Sequence, residues 1–329
     1  MRLIRFLECR FWNPWRRKLD LDLEEFNYKV LGEIGDGAFN KVYRCVNREN
    51  ERIVAIKEIV VTVENARALL DRKISSLQQL QHVNVVRLLD TFRRGQRVYI
   101  VYEYFLFDLL SFITLPNHLK NPLLRINFLY QIITVVAYYH AQGILHRDLK
   151  PQNILVDYSY HLIKLADFNL ASAFEAPEQY YALTAVEYRA PELLLGHNDY
   201  SKEADMWSVG CIFGELLIGQ TLFPGKSEED QLRRIFCLLG TPTEDSWPGV
   251  TALFSSISSF PIYEPRGLAV KFPDLDDPAG LDLLSKMLCL NPDQRISAED
   301  ALNHPYMINV PRLVNEANQR DFQAQRRNT

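Results

Sequence analysis

The chain has 329 residues, too many for one small core and suited to two packed lobes or domains. Its charge balance, a formal net −4, lacks the basic excess with which a nucleic-acid binder displaces counterions. The five cysteines (Cys9, Cys45, Cys211, Cys237 and Cys289) are scattered and odd in number. With no C-x-x-C pair among them, they argue against a disulfide framework or zinc site and for reduced thiols in an intracellular compartment, nucleus or cytoplasm.

Residues 1–25 read as an extension with a basic-aromatic first half and an acidic second half from Asp20 to Glu25. Its Phe6, Phe11, Trp12 and Trp15, beside Arg16, Arg17 and Lys18, suit docking on protein or on an acidic surface, and the segment reads equally well as a disordered tail. Glu8 and Arg10 interrupt the apolar residues, so the segment does not read as a secretory signal. No apolar run anywhere in the sequence reaches the length of a membrane span.

From Tyr28 onward, short β-branched stretches alternate with turns, and strands are predicted at Lys29–Ile34, Lys41–Cys45 and Ile53–Val60. Leu69, Leu70, Ile74, Leu77 and Leu80 recur at helical spacing and predict one helix between Glu64 and Gln81. Two further strands are expected around Val85–Phe92 and Gln96–Tyr104. Beyond Phe105 the pattern turns helical. Leu124–His140 carries few charges and predicts a buried helix, followed by helices at Ser201–Ile218, Leu281–Leu288 and Ala298–Asn303. A small sheet-rich lobe joined to a larger helical one is expected to leave a ligand cleft between them.

Several short motifs carry chemistry. Gly35-Asp36-Gly37-Ala38-Phe39-Asn40, followed by Val42, offers glycines that let a strand-turn-strand backbone approach phosphates. Alone it reads equally well as a hairpin turn, and the third glycine of G-x-G-x-x-G is replaced by Asn40. Val54-Ala55-Ile56-Lys57 puts a lysine in an apolar strand, where it is costly to bury unless an anion neutralises it. His146-Arg147-Asp148-Leu149-Lys150-Pro151-Gln152-Asn153 places an acid, a base and an amide close together. Asp148 could accept a hydroxyl proton, Lys150 neutralise a phosphoryl group, and Asn153 offer a carbonyl to a metal. Asp167-Phe168-Asn169 adds a carboxylate suited to Mg²⁺, and Ala190-Pro191-Glu192 follows.

In this order and spacing the motifs resemble those of the eukaryotic protein kinases, over about Tyr28 to Met307. Leu222-Phe223-Pro224-Gly225, Leu239-Gly240-Thr241-Pro242, Trp247-Pro248-Gly249-Val250 and His304-Pro305 are similar to the cyclin-dependent kinase branch. The resemblance implies a bilobal α+β fold: an extension at 1–25, a small β-rich lobe with one main helix at 26–104, a large mainly helical lobe at 105–308 and a tail at 309–329. It implies transfer of the γ-phosphate of ATP to serine or threonine of protein substrates, with Mg²⁺ as cofactor. Adenine would lie between Ile34, Val42 and Ala55 on one side and Leu155 on the other. Glu103 and Phe105 would supply hinge hydrogen bonds, with Tyr102 behind them, and the loop 35–40 would cover the phosphates. Lys57 would hold the α- and β-phosphates, Asn153 and Asp167 the metal, Asp148 the substrate hydroxyl and Lys150 the transferred group. Arg189 matches an arginine that in this branch accompanies a proline after the phosphorylated residue. Asp205 is expected to anchor the catalytic loop, and Arg295 to pair with Glu192.

The sequence also departs from the family. Lys73 stands where the small-lobe helix has a glutamate that pairs with the strand lysine, and Arg67–Lys73 lacks the cyclin-reading signature, so a cyclin-like activator has no usual site. Ala38-Phe39 replaces a phosphorylatable pair, Asn169 replaces glycine and Ala185 replaces threonine. The activation segment offers Tyr180 and Thr184 but no clear activating threonine; Arg72 and Arg147 remain of three phosphate-binding arginines, with Ser172 in place of the third. Two readings follow: an active kinase with altered regulation, or a pseudokinase serving as a nucleotide-binding or scaffolding module.

Overall fold

The computed structural model describes residues 23–36, 40–61, 70–71, 74–75, 78–115, 121–157, 161–167, 185–273, 275 and 277–316. Outside them lie most of the amino-terminal extension, Gly37, Ala38 and Phe39, Arg72, Lys73 and Leu77, and Phe168, Asn169, Ser172, Tyr180 and Thr184; the side chains of Asp36 and Asn40 are also outside. The chain divides into two compact units, residues 1–72 with 86–104, and residues 73–85 with 105–329.

The first unit is built on a five-stranded antiparallel sheet in the order β1-β2-β3-β5-β4. Its strands are β1 (Tyr28–Asp36), β2 (Asn40–Asn47), β3 (Ile53–Val60), β4 (Leu88–Arg94) and β5 (Arg97–Glu103). Alternation decides which face is covered: Tyr43, Cys45, Val54, Ile56, Tyr99 and Val101 form one buried cluster. Leu23 and Phe26, just ahead of β1, close that cluster. Leu23 is fully buried, and Phe26 stacks on Phe92 with ring centroids 4.1 Å apart. The last residues read as extension thus pack into the sheet, held also by the Arg48–Glu24 and Arg94–Glu25 ion pairs at 2.6 and 3.0 Å. Of the helix expected between Glu64 and Gln81, the described residues 70–71, 74–75 and 78–79 are helical.

The strand expected at Val85–Phe92 shifts to Leu88–Arg94, because Val85 is engaged elsewhere, in a parallel bridge with Leu165. Beside it, buried Asn84 accepts from Leu165 N at 2.8 Å and donates to Gln131 and to the Ile163 carbonyl, each at 2.8 Å.

The second unit is mostly helical, around helices Pro122–Ala141 and Lys202–Ile218. Asn121 caps the first through Leu123 N, and Pro122 needs no amide donor there. Apolar residues lie all round this helix, and Phe128, Leu129, Ile132, Ile133, Val135, Val136 and Tyr139 are fully buried, as its low charge predicts. Gly210 lets helix Pro278–Met287 approach helix Lys202–Ile218: a Cβ there would sit 2.9 Å from Leu288 Cδ2. Helix Glu228–Leu239, absent from the sequence reading, starts at Ser227, whose side chain accepts from Asp230 N, and buries Leu232, Ile235 and Phe236. Also unanticipated is a three-stranded sheet of β6 (Phe107–Asp108), β7 (Ile154–Asp157) and β8 (Leu162–Leu165), in the order β6-β7-β8.

Candidate active site

In the first unit, strand register gathers part of the expected nucleotide site. Gly35 lies opposite Val42, Val42 opposite Lys57, Lys57 opposite Ile100, and Ala55 opposite Tyr102. Side chains directly across an antiparallel ladder share a face. Val42, Ala55, Lys57 and Tyr102 therefore occupy the face turned away from the cluster of Tyr43, Val54 and Ile56. Lys57 is only 5% exposed, whereas Ile34, at a register shift in β1, is 50% exposed. Glu103 is tied down within the sheet: its N–H donates to the Arg87 carbonyl at 3.2 Å and its carboxylate accepts from Arg87 N at 2.7 Å. Phe105 belongs to the second unit.

In the second unit the loop 146–153 forms a compact polar cluster. Lys150 Nζ donates to Asp148 Oδ2 at 2.8 Å, and Asn153 Nδ2 donates to the Asp148 carbonyl at 2.8 Å and to Oδ2 at 2.9 Å. Both amide hydrogens of Asn153 are thereby committed, which leaves its Oδ1 as the atom suited to a hard cation. Among the described residues Asp148 Oδ1 accepts no hydrogen bond. Ala166 N donates to the Asn153 carbonyl at 2.8 Å, and Ile154 pairs with Leu165. The β7–β8 hairpin thus brings Asp167, at φ +58°, beside Asn153. Leu155 alternates with buried Ile154 and Val156 and faces away from the core.

The loop is fixed from below by Asp205, which is fully buried. Its Oδ2 accepts from His146 N (3.0 Å), Tyr139 Oη (3.2 Å) and His140 Nε2 (2.9 Å), and its Oδ1 accepts from Arg147 N (3.1 Å) and Tyr200 Oη (2.8 Å). Burial alone would raise the Asp205 carboxyl pKa; the bond from His140 and the neighbouring donors outweigh it and hold the carboxyl below its usual value. The two bonded amides pin the backbone at Arg147, whose φ is +70°. Next to it, His146 accepts from Asp148 N on Nδ1 (3.3 Å), so Nε2 is the protonated nitrogen and donates to the Ala166 carbonyl (3.0 Å). Burial pushes the pKa of this imidazole down, which keeps it in that neutral form.

The segment 185–190 is fastened with equal care. Gln231 Nε2 donates to the Glu187 carbonyl at 2.9 Å, Ser208 Oγ to the Tyr188 carbonyl at 2.8 Å, and Tyr188 Oη to buried Glu215 at 2.7 Å. Arg189 pairs with Glu228. Arg295 grips Glu192 through two bonds of 2.8 and 2.9 Å, as the sequence predicts, and stacks over Trp207 at 5.2 Å. The contributions of Tyr139, His140, Tyr200 and Glu215 were not legible in the sequence, because each depends on where a distant helix or turn lands.

Among the described residues no helix is long and apolar enough to cross a membrane. A family model described as protein kinase domain matches residues 28–307.

Proposed function

This chain belongs to the protein kinase family, and on that premise we propose that it is an active serine/threonine kinase, proline-directed and similar to the cyclin-dependent branch. The observation that carries this reading is the Asp148 carboxylate, whose Oδ2 is held by both Lys150 and Asn153 while, among the described residues, Oδ1 accepts no hydrogen bond. Asp148 orients the substrate hydroxyl and accepts its proton. Lys150, already within hydrogen-bond distance, offsets charge on the transferred phosphoryl group. Lys57 takes the α- and β-phosphates, and the same sheet offers Ile34, Val42 and Ala55 to the adenine. Asn153 Oδ1 and the Asp167 carboxylate are hard oxygen ligands that fit Mg²⁺, which when bound neutralises phosphate charge. Catalysis on this scheme is positioning and electrostatics, with no covalent intermediate on the protein.

Transfer of radiolabel from ATP to a generic basic protein tests the proposal. Wild type should label it, and Asp148→Asn should lose roughly 10²–10⁴-fold in rate, the usual weight of a positioned base. Equal labelling by both proteins would overturn the assignment. One observation favours a second reading, a nucleotide-binding pseudokinase: Lys73 occupies the place of the family's helix glutamate. In that case ATP and Mg²⁺ raise the melting temperature while no label moves.

A further inference from the structure

The residue after Lys57 carries an unexpected charge. Glu58 is 4% exposed and lies on the face of β3 opposite to Lys57, the face lined by Val54 and Ile56. Its carboxylate is shared by both neighbouring strands. Tyr43 Oη of β2 donates to Oε2 at 3.1 Å, Tyr99 Oη of β5 donates to Oε1 at 3.5 Å, and Arg97 of β5 pairs with Oε1. Register makes this a staple directly behind the lysine: Lys57 faces Val42 and Ile100, and Tyr43 and Tyr99 adjoin those two residues.

A buried ion pair is weak evidence for stability, since well-packed apolar residues of the same volume often serve as well. What three converging donors do supply is register. A slip of β3 by one residue would turn Lys57 into the apolar cluster and Glu58 out of reach of its partners. We propose that Glu58 is a positioning residue for the nucleotide site: its carboxylate, held by Tyr43, Arg97 and Tyr99, fixes β3 so that Lys57 is presented to the phosphates.

The inference rests on the assignment of Lys57 to ATP phosphates, and the experiment separates the two. Affinities of the full chain for ATP with Mg²⁺ and for adenosine, which has no phosphate, are measured by calorimetry for wild type, Glu58→Ala and Glu58→Gln. Glu58→Ala should weaken ATP about tenfold and leave adenosine within about twofold, because only the phosphate contact depends on where Lys57 points. Glu58→Gln, which keeps an acceptor for a tyrosine hydroxyl but loses the charge facing Arg97, should fall between. A purely structural role would lower the melting temperature and weaken both ligands alike, or neither. An unchanged ATP-to-adenosine ratio in both variants overturns the proposal while leaving Lys57 in place. If wild type itself binds ATP no better than adenosine, the Lys57 assignment fails and this inference with it. Should Glu58→Ala not fold, Glu58→Gln and Tyr43→Phe decide by the same ratio.

Discussion

Replacing Asp205 by asparagine keeps the shape of the side chain but removes one acceptor oxygen and the charge. In the native protein Oδ2 serves three donors and Oδ1 two, with one backbone amide on each oxygen. Whichever way the carboxamide turns, its NH₂ faces either His146 N–H or Arg147 N–H. The Tyr200 hydroxyl can rotate to accept from it, but the backbone amide cannot. The least costly orientation therefore orphans Arg147 N–H and weakens the other bonds, which lose their charge assistance. An unsatisfied buried donor costs about 1–3 kcal/mol and the weakened bonds add to it, so a loss of roughly 2–4 kcal/mol is expected. Because Arg147 is held at φ +70°, it should relax, and Asp148 should move with it. Urea unfolding reads the stability, hydrogen exchange the Arg147 amide, and phosphoryl transfer the position of Asp148. Exchange at Arg147 should quicken by roughly two orders of magnitude relative to the β3 amides, with kcat falling and KM for ATP little changed. A loss below about 0.5 kcal/mol with unchanged kcat would refute the reasoning.

Other perturbations give independent checks. Arg295→Ala strands the Glu192 carboxylate in a buried site and should cost roughly 3–5 kcal/mol in urea unfolding, while Arg295→Met with Glu192→Leu recovers part of it; a single-variant loss under about 1 kcal/mol contradicts this. His146 has a folded pKa below that of the unfolded chain, so its contribution to stability is present above about pH 6.5 and is lost as pH falls through the lowered value. Glu215 has the opposite sign: burial raises its carboxyl pKa, so its contribution is present below the ordinary glutamate value and is lost as pH rises through the raised one. A pH series of melting temperatures in which His146→Phe flattens the loss of stability on falling below about pH 6.5 and Glu215→Gln the loss on rising above about pH 4.5 would bear this out; unchanged profiles would not. ATP with Mg²⁺ should raise the melting temperature of wild type by mass action, and Lys57→Met or Asp167→Asn should abolish most of that rise. Lys73→Glu should increase kinase activity if the missing acid limits transfer, and a fall in activity would show that Lys73 has an adopted role.

The strands of the small sheet were legible because β-branched residues alternate with polar ones between turns, and β3 was read to its observed ends. The long helix Pro122–Ala141 was legible because only a buried helix is so long and so poor in charge. Helix Glu228–Leu239 was not read, although Leu232, Ile235 and Phe236 stand at helical spacing on its buried face. Strands β6 to β8, of two to four residues, are too short for periodicity to register. The polar loop 146–153 was legible as a unit because its residues are contiguous, and the pairing of Arg295 with Glu192 because the resemblance implies it. Glu58 was invisible for the opposite reason. Its three partners lie on two other strands, and only the register reveals that they converge.

The buried carboxylates of this fold are not equivalent in what they hold. Glu58 accepts from the side chains of Tyr43, Tyr99 and Arg97 and Glu192 from Arg295, so neither carboxylate holds a backbone amide, although Arg295 also donates to the Cys289, Glu203 and Leu290 carbonyls. Folding can tolerate an apolar exchange of Glu58 and its partners even where the geometry of Lys57 suffers. Asp205 accepts two backbone amides, which no side-chain substitution removes. An apolar residue there would leave both amides without this buried acceptor, at a cost of about 1–3 kcal/mol each. On the proposed roles, loss of Asp205 is expected to cost stability and transfer together, and loss of Glu58 nucleotide affinity first. If the proposed roles hold, loosening the loop 146–153 costs stability as well as transfer, whereas a misdirected Lys57 is expected in a protein that remains folded.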